Sequence, residues 1–496
     1  MMSSRIAGIV VRQNTTCSAE SIVRSFSVPS TSCMQQMEHE VDVHGLMTAG
    51  QPTPASHPYL LQEGDIQPGI SKEEFSSRRK EFARRMDPGS FAIVGSSPTT
   101  FMSGIIPYPY RPNAGFQYLT GSIQPDMMAI IEYTGHFTLY CADPSDMRDT
   151  WTGALASRDA CREFFGADEV HYVSELPFRL KRLVANQTHK KIYIDLSEDT
   201  RRLLSAEQWQ HALGVVNAVK DTHTILSHNA ILHSMRWKKS DAEIRLMRES
   251  ANIAAHAMIR CMQATSHRTT EHELSALFEY ACHSKGAQRM AYPPVVGSGP
   301  DACTIHYSRN DKKLDENSMV LMDAGCEYYG YCSDVTRTWP VGGRFTGPMK
   351  DVYEAVHEAH QHLVQQCTPG KTLREIHAKS IDLLSKGLRS LACTSTLESA
   401  LIGNSYRTFY PHSVGHWLGM DTHDCPAVSH DLPLEPNVTL TIEPGIYIPD
   451  TPKYGHFRGI GVRIEDDICT TETGADVLSC SVPTDIPSIE RIMTTD

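Results

Sequence analysis

The chain has 496 residues, 46 Lys and Arg against 58 Asp and Glu, and a formal net charge of −12 at pH 7. This charge argues against nucleic-acid binding, because phosphate contacts need clustered Lys and Arg. Hydrophobic residues make up 40% of the chain, and no apolar run approaches the roughly 18 residues of a membrane span. We therefore expect a soluble protein of two or three domains, without a membrane partner.

Residues 1–56 are predicted to be a transit peptide followed by a linker. The first 35 residues contain three Arg, many Ser and Thr, and a single acid, Glu20. Such Arg-rich, Ser-rich and acid-poor composition is typical of organelle transit peptides, so we expect a mitochondrial protein. The alternative is a disordered tail without a targeting signal, which would leave the protein in the cytoplasm. Residues 47–72 are rich in Pro, Gly and Ser and predict a linker or an extended arm.

Residues 57–232 are predicted to form an α/β domain. A helix begins near Ser71, with Glu73 and Glu74 near its start and a basic run behind them, which complements the helix dipole. Strands and helices alternate after it. The predicted strands are 91–94, 127–133, 137–140 and 191–196, and the predicted helices are 158–166, 174–185 and 198–214.

Residues 233–496 predict a second domain that repeats one pattern twice. Apolar residues at helical spacing follow Arg236, and Thr270 with Glu273 forms the capping box of the next helix. Strand-like sequence follows after Gly286. A second pair of helices and a second group of strands come next, which favours an α+β domain with an internal structural duplication.

Cysteines and the histidines of one helix are expected to have no catalytic role. The 14 Cys are scattered without a C-x-x-C pair, which favours buried free thiols and a reducing compartment. His357, His360 and His362 lie on the polar face of a predicted helix, where we expect them to be solvated. Neither group therefore predicts a site.

Two aspartates stand in settings that predict a shared cleft. Asp323 ends the apolar run M-V-L-M and is followed by Ala-Gly, whereas Asp334 lies in a run that reads as the next strands of a meander. If these strands pair, both carboxylates can face the same cleft. Either Asp alone would fit a turn or a cap, and the downstream residues favour the functional interpretation.

Three histidines and two glutamates complete the pattern. His412, His416 and His423 lie in P-H-S-V-G-H-W-L-G-M-D-T-H-D, a segment typical of strands and turns, beside a Trp and two Gly. Glu443 follows the β-rich run N-V-T-L-T-I, and Glu465 follows G-V-R-I. A carboxylate inside an apolar strand is costly to bury unless it is paired or bound to a metal. Asp467 competes with Glu465 as a ligand, and the alternating approach G-V-R-I-E favours Glu465.

Four carboxylates and one imidazole form a hard, anionic set of ligands. Such a set suits two divalent cations better than one structural zinc, and two close cations can activate a water for hydrolysis. The five predicted ligands are Asp323, Asp334, His416, Glu443 and Glu465.

These segments resemble the metal-binding motifs of the pita-bread metallopeptidases, which include methionine aminopeptidase, prolidase and aminopeptidase P. The segment from His412 to Asp424 is similar to the signature H-x-x-G-H-x-x-G-x-x-x-H-D of prolidase and aminopeptidase P, with Thr422 where Ile or Val is usual. The resemblance covers roughly residues 57–480 and is strongest to the mitochondrial aminopeptidase P branch, which includes the intermediate-cleaving peptidases. It implies a creatinase-like N-terminal domain followed by a pita-bread catalytic domain.

The resemblance implies how the metal ligands divide their work. One ion would be held by Asp323, both ions would be bridged by Asp334 and Glu465, and His416 with Glu443 would complete the pair. The ion usual in aminopeptidase P is Mn²⁺, which agrees with oxygen-rich ligation. The family commonly dimerises, so the resemblance also implies a homodimer.

The resemblance implies catalytic and substrate contacts as well. A water between the ions would attack the scissile carbonyl, and Glu443 would accept its proton. His412 and His423 would contact the substrate and stabilise the tetrahedral intermediate. The implied substrate contacts and pocket-lining positions are Tyr292, His306, His412, His423, Arg463 and Tyr447.

The implied activity is that of an Xaa-Pro aminopeptidase, which removes the first residue from peptides with proline at the second position, or trims imported precursor proteins. Two alternatives stay open at this point. One is a prolidase that is restricted to X-Pro dipeptides, and the other is an inactive pita-bread protein that serves as a binding module.

Overall fold

The computed structural model describes residues 49–185, 190–195, 207–391 and 404–494. The predicted transit peptide lies outside these residues, as does the first part of the predicted helix 198–214. The described residues belong to one unit that runs from Met47 to Asp496. In this part of the chain, no helix is long and apolar enough to cross a bilayer.

The N-terminal half contains a mixed six-stranded sheet with helices on both faces. Its strand order is β10-β9-β3-β6-β7-β8, and β6 runs antiparallel to both of its neighbours. The strands of this half are Asp65–Gln67 (β1), Ile70–Ser71 (β2), Ser90–Gly95 (β3), Phe101–Ser103 (β4), Ile106–Pro107 (β5), Met128–Glu132 (β6), Phe137–Cys141 (β7), Glu169–Tyr172 (β8), Lys191–Ile194 (β9) and Thr224–Leu226 (β10). The helices are Lys72–Arg85 (α1), Ala114–Thr120 (α2), Asp146–Thr152 (α3), Arg158–Glu163 (α4), Leu176–Ala185 (α5) and Glu207–Val219 (α6).

Strand β3 explains why this sheet is covered on both sides. All six of its residues are buried. Ala92 and Val94 face the core that includes α1 and α2, whereas Phe91 and Ile93 face the core that includes α5 and Trp209 of α6. Successive side chains of a strand point to opposite faces, so an uninterrupted apolar run requires cover on each face. The predicted α/β domain is confirmed.

Helix α1 begins and ends as its sequence predicts. The Ser71 side chain accepts a hydrogen bond from the Glu74 amide, which caps the first turn. Glu73 and Glu74 lie in this turn, and Arg84 and Arg85 lie in the last one. The charges therefore match the helix dipole at both ends.

The C-terminal half contains two pairs of long helices and, among the residues described, three antiparallel three-stranded sheets, with strand orders β11-β14-β15, β12-β13-β16 and β17-β20-β21. Its helices are Asn229–Trp237 (α7), Asp241–Ala264 (α8), Glu271–Ser284 (α9), Gly347–Val364 (α10), Leu373–Leu391 (α11) and Ile486–Met493 (α12). Its strands are Arg289–Met290 (β11), Val295–Ser298 (β12), Met319–Ala324 (β13), Cys326–Tyr328 (β14), Tyr331–Cys332 (β15), Val335–Pro340 (β16), Thr439–Ile442 (β17), Gly445–Tyr447 (β18), Gly461–Arg463 (β19), Asp466–Thr470 (β20) and Ala475–Val477 (β21). The two predicted rounds of helices followed by strands match this arrangement.

A tight hairpin brings the two aspartate-bearing strands together. Strands β14 and β15 pair through Tyr328 and Tyr331, which leaves Tyr329 and Gly330 as a two-residue turn. Both turn residues have positive φ angles, 47° and 86°. This is the backbone that a right-twisted hairpin requires, and Gly adopts it without strain.

The predicted border between residues 232 and 233 falls inside α7, which is one continuous helix. A capping box at Ser240, with Glu243, begins the next helix. The division into domains 57–232 and 233–496 therefore stays a prediction, and the helix shows that no flexible linker separates the halves at this point.

One prediction about the helical histidines was wrong. His360 of α10 is buried, and its Nε2 lies 3.1 Å from Asp466 Oδ2. His362 is exposed, as expected. His360 follows the buried Val356 by four residues and therefore lies on the face of α10 that packs against the core.

Candidate active site and metal centre

Strand pairing places Asp323 and Asp334 on the same face of one sheet. Asp323 in β13 pairs directly with Thr336 in β16. Asp334 lies one residue before β16 and two before Thr336, and its carboxylate and that of Asp323 both contact the Tyr292 hydroxyl. The two predicted carboxylates therefore point into one cleft, because the hairpin of β14 and β15 folds β16 back along β13.

The second sheet supplies both glutamates and the histidine. Ile442 of β17 pairs with Asp466 of β20, so that Glu443 and Glu465 extend from the same end of this strand pair. The Thr441 amide donates to the His416 carbonyl at 2.9 Å, which places the histidine beside β17. The two sheets meet where the Glu465 amide donates to the Thr336 carbonyl at 3.0 Å.

Gly415 permits this approach of the histidine segment to β17. A Cβ atom at this position would lie 1.9 Å from the Thr441 carbonyl oxygen. No larger residue fits such a backbone contact without displacing one of the two chains. The Gly before His416 is therefore a packing requirement of the site.

The predicted ligands form one group of buried and partly buried side chains, which we call the acidic cluster: Asp323, Asp334, His416, Glu443 and Glu465. Ligand atoms of Asp334, His416 and Glu465 lie within 4.8 Å of one another. His416 Nε2 is 3.3 Å from Asp334 Oδ2 and 3.8 Å from Glu443 Oε1. Asp323 joins through Tyr292, whose hydroxyl lies within hydrogen-bonding distance of Asp323 Oδ1 and 2.5 Å from Asp334 Oδ1.

Surrounding groups hold the acids in place. The Thr336 hydroxyl donates to Glu465 Oε2 at 2.5 Å, and Arg463 donates to Asp323 Oδ2 at 2.6 Å. Asp467 accepts a hydrogen bond from the Asp334 amide at 3.1 Å. Of the two acids that competed in the sequence, Glu465 thus faces the cluster, and Asp467 supports the backbone behind Asp334.

The acids of this cluster outnumber the cations that face them. Burial raises the pKa of Glu443 to about 7, and the charges of Asp334 and Asp323 add to this effect against His416 and Arg463. Burial and neighbouring carboxylates raise the pKa of Glu465 well above its usual range. Burial lowers the pKa of His416, but Asp334 outweighs it and raises this pKa to about 9. The raised pKa values of the histidine and of the acids show that the cluster has too little positive charge for its carboxylates.

Divalent cations fit these donors. Oxygen-rich groups of this kind suit hard cations, and a cation would replace the proton that His416 otherwise attracts. The second nitrogen of His416, Nδ1, lies 3.1 Å from the Trp417 carbonyl oxygen, which leaves Nε2 for a cation. The residues that would hold the metal are those of the acidic cluster.

A relay of hydrogen bonds runs beside the acidic cluster to His412. Arg463 donates to the Tyr447 hydroxyl at 2.7 Å, and this hydroxyl lies 2.8 Å from His412 Nε2. His412 Nδ1 lies 2.7 Å from the Ser413 carbonyl oxygen, which can only accept. Nδ1 therefore carries the proton, and Tyr447 donates to Nε2. Burial and the charge of Arg463 lower the pKa of His412 to about 3, so its ring is neutral.

His423 and His306 are placed near the same cleft. The exposed His423 packs its ring against His416, with ring centroids 4.3 Å apart. His306 is exposed and affects the protonation of both His412 and His423 through its charge. Burial and the charge of His416 lower the pKa of His423. The structure thus places His412 beside Glu443, with Nδ1 3.4 Å from Glu443 Oε2, and His423 beside His416.

A second group of charges, which joins three buried residues to two partly exposed ones, was not predicted from the sequence, and we call it the ionic clamp: Arg236, Glu327 and Asp424 are buried, and Arg111 and Asp421 are about 40% exposed. Arg111 comes from the N-terminal half, and the other four residues come from helix α7 and the C-terminal half. Each acid of this group faces at least one arginine. Arg111 lies in the segment Y-R-P-N, whose sequence does not indicate its partners.

The comparisons with known proteins agree with this site. Residues 75–193 match the family described as Aminopeptidase P, N-terminal domain, and residues 245–472 match Metallopeptidase family M24. Intermediate cleaving peptidase 55, mitochondrial, of Arabidopsis thaliana is 39% identical over 90% of this chain and 87% of its own. Human Xaa-Pro aminopeptidase 3 is 34% identical over 89% of this chain and 90% of its own. Aminopeptidase P from E. coli, solved with the inhibitor Pro-Leu, has a TM-score of 0.78 at 31% identity and covers 86% of this chain and 98% of its own.

Proposed function

The chain belongs to the aminopeptidase P branch of metallopeptidase family M24, and from this premise we propose that it releases the N-terminal residue from peptides with proline at the second position. The observation that carries this proposal is the acidic cluster with neutral His412 on one side and His423 beside it. Buried acids in excess of their counter-charges are the donors of a hydrolytic metal site. The relatives named Xaa-Pro aminopeptidase supply the substrate class.

We propose two ions per chain, most favourably Mn²⁺. Asp323 would hold one ion, Asp334 and Glu465 would contact both, and His416 and Glu443 would complete the set. Four carboxylates exceed what one divalent cation can neutralise, which supports two. When bound, such cations lower the pKa of water and polarise a carbonyl group.

The side chains of this protein would perform the remaining steps. Glu443 would accept the proton of the attacking water, because its carboxylate is buried and its pKa is raised toward neutrality. His423 would donate a hydrogen bond to the oxygen of the scissile carbonyl as negative charge develops there. His412, held by Tyr447, would orient the substrate, and His306 would contact it from the exposed side.

Proline at the second position restricts the cleft that can accept the substrate. A prolyl amide has no N–H and a fixed φ, so a cleft that recognises this N–H cannot bind it. Tyr292 and Arg463 have their polar atoms engaged with the acidic cluster. The prolyl nitrogen would therefore lie near histidines that need no N–H donor from the substrate.

Hydrolysis of a peptide that begins Arg-Pro-Pro tests this proposal. We expect free arginine to be released in the presence of Mn²⁺ and much less after chelation. Glu443→Ala should lower kcat by roughly 10²–10⁴-fold, because it removes both a base and a ligand. Glu472→Ala, at an exposed position, is the matched control and should retain full activity. Retention of activity by Glu443→Ala, or no release from any Xaa-Pro peptide, would contradict the proposal.

The two alternatives give different results in the same assay. A prolidase would cleave X-Pro dipeptides and leave X-Pro-Y peptides intact. A binding module would bind no metal on elemental analysis and hydrolyse neither. The presence of all five ligands together with His306, His412 and His423 supports the enzyme over the binding module.

We further propose a mitochondrial location, trimming of imported precursor proteins and a homodimer. The Arabidopsis relative is named as a mitochondrial intermediate cleaving peptidase, and the composition of the first 35 residues supports an import signal. A cytoplasmic protein is the alternative. Fusion of residues 1–56 to a fluorescent reporter separates the two, since a diffuse signal would exclude import. Sedimentation would give the oligomeric state.

A further inference from the structure

Arg111 reaches from the N-terminal half to the loop that carries His423. Its Nε donates to Glu327 Oε2 at 2.7 Å. Its Nη2 donates to the Met420 carbonyl at 2.7 Å and to Asp421 Oδ1 at 2.9 Å. One guanidinium therefore binds the loop through both its backbone and a side chain, and the planar fork of Arg fixes the angle between these contacts.

The loop around His423 is held on both sides by such ion pairs. Arg236 donates to Asp421 Oδ2 at 2.8 Å and also to Asp424. Lys239 Nζ lies 3.7 Å from Asp424 Oδ2. Residues 419–423 are bends without helix or strand. Backbone hydrogen bonds hold the two ends of the loop, from the Cys332 amide to the Gly419 carbonyl at 2.8 Å and from the Asp424 amide to the Trp417 carbonyl at 2.9 Å. Between these ends, the charged contacts at Asp421 and Asp424 flank His423 and contribute to its position.

A cavity of about 610 Å³ removes packing from one side of this loop. It lies between the two halves, and Arg111, Asp421 and His423 are among the residues that line it. His423 is exposed and touches the acidic cluster through the ring of His416. A side chain that borders a cavity takes its position from the backbone that carries it, so a shift of the loop would move the imidazole.

We propose that Arg111 is a positioning residue for the reaction, which holds the loop 420–424 so that His423 meets the scissile carbonyl. This inference rests on the proposed function. The N-terminal half would thus contribute to turnover without contacting the substrate. Displacement of a reacting group by about 1 Å can cost on the order of 100-fold in rate, so the contact has kinetic consequences.

Arg111→Met tests the inference, because Met keeps an unbranched chain and removes every donor. Glu327 retains Arg289, and Asp421 retains Arg236, so neither acid is left without a counter-charge. We expect kcat on the Arg-Pro-Pro peptide to fall roughly 10- to 100-fold, with KM changed less than about 3-fold.

Arg248→Met is the matched control. Arg248 pairs with Asp476, and the side chains of this pair are 39% and 41% exposed, against 40% and 38% for Arg111 and Asp421. It has a similar ion pair but no contact with the loop of His423. We expect its kcat to stay within about 2-fold of wild type, since exposed pairs contribute little.

A double-mutant cycle separates positioning from a general loss of structure. In a His423→Asn protein, whose residual rate is measured with enzyme in excess over substrate, Arg111→Met should change kcat less than about 2-fold. An equal loss in both proteins would show a structural role and overturn the inference. An unchanged kcat, or a rise in KM alone, would overturn it too.

Asp421→Asn provides a second variant if Arg111→Met does not fold. It weakens the same contact from the loop side and should lose kcat only when His423 is present. A wild-type protein that releases no residue from Xaa-Pro peptides would refute the proposed function itself. A fully active wild-type protein in which Arg111→Met has the same effect with and without His423 would refute this inference alone.

Discussion

The acidic cluster and the ionic clamp are two neighbouring groups of charged side chains, and they differ in how well their charges are balanced. In the ionic clamp, Arg111 and Arg236 each pair with two acids, and Glu327 has a further partner in Arg289. Among the residues that the structure describes, the acids of the acidic cluster contact one guanidinium, that of Arg463. Burial of charge alone therefore does not mark the functional site. The functional site is marked instead by acidic side chains that lack enough cationic partners in the protein.

Each cluster has a separate physical purpose. The ionic clamp fixes a loop of little regular structure, because every acid in it finds a guanidinium at hydrogen-bonding distance. The acidic cluster holds carboxylates whose pKa values are raised, which is unfavourable until cations arrive. Removal of one charge from the acidic cluster should therefore change how stability responds to metal, whereas removal of one charge from the ionic clamp should lower stability equally with and without metal.

The largest expected effect on stability comes from Arg236→Met. This substitution removes the buried partner of Asp424, which is itself buried, and one of the two arginines that pair with the partly exposed Asp421. Breaking a buried ion pair typically costs about 3–5 kcal/mol, so the free energy of unfolding in urea should fall by this amount with or without Mn²⁺. Arg248→Met, which breaks an exposed pair, should cost less than about 1 kcal/mol. A loss of that small size for Arg236→Met would show that the clamp is not a balanced unit.

Removal of metal should have the next largest effect, confined to the acidic cluster. Free Mn²⁺ at about 100 times its dissociation constant should raise the free energy of unfolding by roughly 2.7 kcal/mol over the chelated protein. Glu443→Gln should gain clearly less, because it removes one ligand. Thermal denaturation with and without Mn²⁺ measures both. An equal gain in the two proteins would place the cation elsewhere.

The smallest expected effect is a pH dependence at Asp421. Burial raises the pKa of Asp421, but Arg236 and Arg111 outweigh it and lower the pKa to about 2. The folded pKa thus lies below the unfolded value of about 3.9, so the stabilisation is present above pH 4 and is lost as pH falls toward 2. Because this side chain is more than one-third exposed, we expect only about 1 kcal/mol.

Asp421→Asn checks this effect in urea denaturation between pH 7 and pH 3. The variant should be about 1 kcal/mol less stable than wild type at pH 7, and the difference should shrink below pH 4. A difference that persists unchanged to pH 3 would show that the side chain acts through its shape and not through its charge.

The predicted local structure matched the observed structure closely wherever a short apolar run in the sequence indicated a single strand. The predicted strands 91–94, 127–133 and 137–140 match β3, β6 and β7 within one or two residues, because apolar runs in a covered sheet are short and bounded. The predicted helix 158–166 ends earlier, at Glu163. His360 was assigned to the wrong face because its polar neighbours outweighed the four-residue spacing from Val356.

The site divides in the same way. The motifs around Asp323, His416 and Glu443 predicted a metal centre, and the alternation in G-V-R-I-E favoured Glu465 over Asp467 as a further ligand. The structure separates them, since Asp467 accepts the Asp334 amide and Glu465 faces His416. This distinction depends on which way each strand turns its side chains, and strand pairing decides that.

The amino-acid sequence alone determined the family, the order of helices and strands and the types of donor at the centre, because these depend on local composition and on motifs of a few residues. Only the tertiary structure decided which buried charges are balanced. Arg111 lies 310 positions before Asp421, and no periodicity links residues so far apart. The pairing of Arg111 with Asp421 depends on how the two halves pack together around the cavity. A buried acid there is stable only with a cationic side chain or a metal ion beside it.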